Sequence, residues 1–129
     1  MEWVKICGKM KIITDINDAN KLLQSFKGAT LQVCLYSMSL KRIALRLAYP
    51  KSIEEVVYIV GIGCESIKGR FRFIITNLSI AVEGDAEIIT RITDESEGFE
   101  LITSGGFSLA QGSESEFGTT FENFLKENN

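Results

Sequence analysis

Hydrophobic positions along this chain repeat mostly every second residue, with two interruptions at helical spacing. Val4, Ile6, Met10 and Ile12 alternate with Lys5, Lys9 and Lys11, the period of a strand with one solvated face. Ala19, Leu22, Leu23 and Phe26 then follow i, i+3, i+4, i+7, which predicts an amphipathic helix over 16–27, with Asp15 or Asn17 as N-cap and Gly28 just past its end. From Ala29 the period returns to two. Leu31, Val33 and Leu35 share a face. After the polar Ser37-Met38-Ser39 turn, Ile43, Leu45, Leu47 and Tyr49 share one, with Arg42 and Arg46 opposite, and Pro50 ends the strand. Residues 55–64 are almost continuously apolar, which predicts a strand covered on both faces.

Further along, Phe71, Phe73 and Ile75 occupy odd positions, whereas Leu78, Ile80 and Val82 occupy even ones. Side chains alternate strictly along a strand, so the change of parity predicts a bulge or break near Thr76-Asn77. Glu83-Gly84-Asp85 predicts a turn into a strand carrying Ala86, Ile88 and Ile92, and 94–98 a second turn. Phe99, Leu101, Phe107 and Leu109 mark a last strand bent at Gly105-Gly106. A polar linker at about 111–118 leads to a closing helix at about 119–127, with Phe121, Phe124 and Leu125 on one side and Thr119 and Glu122 spaced as a capping box.

The expected class is α+β: an antiparallel meander of about seven strands, in the order strand, helix, six strands, helix, with both short helices packed on a curved sheet. That order resembles helix-grip folds, in which a curved sheet wraps around a terminal helix, a likeness of architecture that carries no functional weight. A length of 129 residues, 45% hydrophobic and 24% charged, fits one folded domain over 1–129. The first six residues scatter their charges, unlike a targeting peptide, and no apolar run approaches the roughly 20 residues of a membrane span. Cys7, Cys34 and Cys64, odd in number and far apart, read as reduced thiols in a cytoplasmic protein.

The chemistry legible in the residues is chiefly exclusion. With no histidine, the commonest general base, the Cys–His and Ser–His–Asp arrangements and the commonest zinc ligand are missing. The lone cysteines lack paired metal-ligand spacing, so neither metal nor cofactor is expected. Gly61-Ile62-Gly63 is no phosphate loop, because Ser66 stands where a third glycine is needed and no helix follows; a sharp bend or close backbone approach explains these glycines better. Glu83, Asp85 and Glu87 read as a solvated turn. The chain is therefore read as non-enzymatic.

Net charge is −3, but residues 1–72 hold twelve Lys/Arg against six Asp/Glu and residues 73–129 two against eleven. An acidic total argues against nucleic acid as a partner. In a meander, Arg42 and Arg46 would lie on one side of the 55–64 strand and Arg70 and Arg72 on the other. The central strand would offer between them Val57, Ile59, Gly61 and Gly63, or else its other apolar set. An apolar stripe bordered by arginines suits an interface. Equally, Arg72 opposite Glu95 and Arg70 opposite Glu97 would make ordinary cross-strand pairs.

The leading functional expectation is a protein–protein interaction module, a homodimer in its simplest form. The alternative is a carrier of an apolar or acidic small molecule, with a cavity of about 300 Å³ or more between sheet and C-terminal helix. A solid core of Phe71, Phe73, Phe99 and Phe121 would contradict the carrier.

Overall fold

A computed structural model describes residues 11–50 and 55–113. The elements are β1 (Lys11–Ile13), α1 (Ile16–Ser25), β2 (Thr30–Ser37), β3 (Arg42–Ala48), β4 (Val56–Ile62), β5 (Cys64–Lys68), β6 (Arg72–Ile74), β7 (Ser79–Glu83), β8 (Ile89–Asp94), a 3₁₀ turn (Glu95–Glu97), β9 (Phe99–Thr103) and β10 (Phe107–Gly112). The helix starts where the sequence places it: the Asp15 carboxylate accepts from the Asp18 N–H at 2.9 Å, and Gly28 takes a left-handed φ of +92°. The closing helix expected at 119–127 lies outside the described residues, as does most of the first strand.

Two antiparallel sheets replace the single curved meander. One has six strands in the order β1-β10-β4-β3-β2-β6, the other four in the order β5-β9-β8-β7. The count rises to ten strands among the described residues because three expected long strands each divide. The apolar run bends at Gly63 (φ +71°), so β4 stays in the larger sheet and β5 enters the smaller. Its partner bends beside it at 104–106, and the corner is stitched by Gly105 N–H to the Ile62 carbonyl at 2.8 Å and Ile62 N–H to the Gly106 carbonyl at 3.0 Å. A Cβ on Gly105 would stand 2.9 Å from the Ile62 carbonyl oxygen. Glycine is therefore required by the close approach of two backbones.

The third division falls at the parity change. β6 ends at Ile74 in the larger sheet and β7 begins at Ser79 in the smaller, which lets Phe73, Ile75, Leu78 and Ile80 all reach the core. The crossing is held by Asp94, a fully buried carboxylate that accepts from Thr76 N–H at 2.8 Å, Asn77 N–H at 3.2 Å and the Thr76 hydroxyl at 3.0 Å.

One core lies between the two sheets and α1. The larger sheet contributes Leu31, Leu45, Ile59 and Leu109, the smaller Ile92, Phe99 and Leu101, and the helix Ala19, Leu23 and Phe26. Three smaller expectations are corrected. Ile13 faces this core and Ile12 does not. The turn after β7 lasts until Ile88, which is exposed with Val82, so Ala86 lies outside the strand. Residues 111 and 112 belong to β10 and not to a linker.

Candidate functional site

The residues nominated from the sequence do not form one surface. β4 lies between β3 and β10, and β6 pairs with β2, so Arg72 is on the same side of β4 as Arg42 and Arg46, while Arg70 precedes β6. Register places Arg46 opposite Tyr58 and Arg42 opposite Ile62. The arginines therefore share a face with Val56, Tyr58 and Val60, while Val57 and Ile59 point the other way, into the core. Both sets on β4 are at least 95% buried. Gly61 packs under Thr103 and Ile43, and Gly63 makes the corner. The central strand is covered on both faces, as its composition predicts, but within a single chain.

Three of the four arginines are also engaged. Arg70 donates to Glu97 at 3.1 Å, the neutralising pair read from the sequence, whereas Arg72 stands opposite Gln32 and not Glu95. Neither Arg42 nor Arg46 is without a partner.

A different place is open. Where β4 turns into β5 the two sheets diverge, leaving an apolar groove of about 300 Å³ lined by Val33 and Tyr36 of β2, Ile43 of β3, Cys64 to Ile67 of β5, and Phe71. Phe71 is 74% exposed and Tyr36 51%. The connection 69–71 crosses from one sheet to the other, and its Phe71 carbonyl accepts from Val33 N–H at 2.8 Å, which holds the ring at the mouth of the groove. Phe73, two residues on, faces the core and packs on Phe99 with ring centroids 5.0 Å apart.

The polar groups at this groove are committed to each other. Glu65 accepts from the Ser104 hydroxyl at 2.9 Å and from the Lys41 ammonium at 3.4 Å, and these bonds hold its carboxyl below the usual carboxylate range. Burial pushes the Cys64 thiol up, reinforced by the Glu65 charge, so the sulfur keeps its proton. On the outer face of the smaller sheet Arg91 binds Glu83 at 3.1 Å and also Glu100, which raises its pKa further. Among the described residues no three of Cys, Asp or Glu converge.

Sequence reasoning missed Tyr36, Ile67 and Phe71. Phe71 has the parity of Phe73 and reads as core; only because β6 begins at Arg72 does it lie outside the strand. No protein-family model matches this chain, and no curated protein or solved structure is significantly similar to it.

Proposed function

We propose that the chain is a non-enzymatic binding module that engages another protein through the groove between β2 and β5. The observation that carries this reading is the pair of exposed aromatic rings, Tyr36 and Phe71, at the mouth of an apolar groove. Large side chains that stay in water beside an unfilled apolar surface mark interaction sites. The module is read as non-enzymatic because Glu65 is neutralised by Lys41 and Cys64 is buried as a neutral thiol, so neither supplies a base or nucleophile. A buried Cys64 thiol outside any disulfide favours a reducing, cytoplasmic setting. No helix among the described residues is long and apolar enough to cross a membrane.

A second reading, a small apolar ligand, draws on the groove volume of about 300 Å³, which sits at the lower end for ligand sites. The groove is tested with the apolar dye 1-anilinonaphthalene-8-sulfonate, titrated into the native chain and into Phe71→Ser and Ile67→Ser, with circular dichroism confirming the fold. Saturable fluorescence that falls in both variants is expected. Dye binding that is absent, or equal in all three proteins, would remove the groove as the working surface.

A further inference from the structure

One wall of the groove is the edge of a strand. Among the described residues β5 pairs with β9 alone, its other edge makes a single bond, Cys64 N–H to the Lys41 carbonyl at 2.8 Å, and Glu65 to Lys68 are exposed with no strand beside them. The opposite edge of the same sheet is closed. There the Asn20 side chain accepts from Ile80 N–H at 2.8 Å and donates to the Ile80 carbonyl at 2.9 Å, so an amide from α1 stands in for a strand against β7. Folded proteins block strand edges because unpaired N–H and C=O groups recruit other chains. This sheet blocks one edge and leaves the other beside an apolar groove.

The side chains on the open edge specify what would pair with it. Ile67, opposite buried Leu101, turns into the groove. Lys68, opposite Glu100, turns to the outer face. Glu100 is already bound by Arg91, so Lys68 has no ion-pair partner among the described residues. A strand laid along β5 therefore meets an apolar recess at one position and, at the next, a lysine with no ion pair among the described residues.

We infer that the β5 edge accepts a strand from another polypeptide: an extended segment with a large apolar residue opposite Ile67 and an Asp or Glu beside it, opposite Lys68. This rests on the binding-module reading and adds the mode of recognition. Main-chain hydrogen bonds supply affinity, and the groove and Lys68 supply selectivity, as in other cases of strand addition.

The test is selection from random peptides of about ten residues against the full chain, followed by titration of a selected synthetic peptide. Enrichment of adjacent apolar and acidic residues is expected. Affinity should fall about tenfold or more when alternate peptide amides on the pairing side are N-methylated, because this removes backbone donors and leaves the side chains unchanged. Lys68→Glu should weaken binding and invert the preference for an acidic residue, and as a solvent-facing change it keeps the test decisive if Ile67→Ser unfolds. Absence of enrichment, or enrichment unaffected by Lys68→Glu and Ile67→Ser alike, overturns strand addition. Binding that survives N-methylation of either set of alternate amides but is lost in Ile67→Ser also overturns it, while leaving the groove as a side-chain or small-molecule site. Dye binding in the groove without any peptide selection has the same meaning.

Discussion

Ile59→Asp separates a buried stripe from an interface. If β4 presented Ile59 to a second subunit, aspartate would dissociate a dimer and leave a folded monomer. The structure requires the opposite. Ile59 is 0% exposed in one chain, between Leu45 and Leu109 in the register of the larger sheet and within the core shared with the smaller one. Removing a fully buried aliphatic side chain costs about 2–5 kcal/mol. An unpaired carboxylate in its place adds several more through desolvation or forced protonation. The total, about 5 kcal/mol or more, is comparable with the whole stability of a domain, about 5–15 kcal/mol. Urea titration followed by far-UV circular dichroism should show the cooperative transition lost or moved near zero denaturant. Val82→Asp, at a side chain 46% exposed, should change stability by no more than about 0.5 kcal/mol. A well-folded Ile59→Asp chain, monomeric by light scattering where the native chain is dimeric, would refute the placement of Ile59 in the core.

Asp94→Ala should cost about 2–4 kcal/mol in the same titration, because it leaves the Thr76 and Asn77 N–H groups and the Thr76 hydroxyl without their acceptor; an unchanged midpoint would remove Asp94 as the clamp of the β6–β7 crossing. Gly61→Ala places a Cβ 2.9 Å from the Thr103 methyl and 3.1 Å from that of Ile43, and should destabilise by about 1–3 kcal/mol through overpacking. Cys64 should react with iodoacetamide far more slowly in the native chain than in urea, read by peptide mass spectrometry. Because the folded thiol holds its proton to higher pH than the unfolded one, its contribution is full below the ordinary thiol range and is lost as pH rises through it. Native stability should therefore fall more steeply with alkaline pH than that of Cys64→Ala, and parallel pH profiles would contradict the shift.

Strand and helix positions were legible wherever hydrophobic spacing is local. The α1 cap at Asp15, the two-faced apolar β4, the break before Leu78 and the bend at Gly105-Gly106 all follow from period, parity and glycine. The neighbours of each strand were not legible, because pairing depends on which chain segment returns across the sheet, and a strand bent at glycine looks continuous in sequence. A meander assumption therefore set Arg70 and Arg72 beside β4, when β10 occupies that place. Of the two apolar sets that could accompany the arginines, Val57 and Ile59 or the alternate positions, the register selects the second, Val56, Tyr58 and Val60, a shift of one residue that moves a side chain to the opposite face.

The sequence by itself determined a β-rich chain without histidine, with one strand too apolar to face water on either side. Alternation and composition act over a few residues and survive any tertiary arrangement. Tertiary structure alone decided that both faces of that strand are closed within one chain, that an acidic-turn residue, Asp94, is a buried clamp, and that Phe71 stands in solvent while Phe73 is core. Each depends on which segments meet across the two sheets, and that is set by long-range packing, not by the pattern of any single segment.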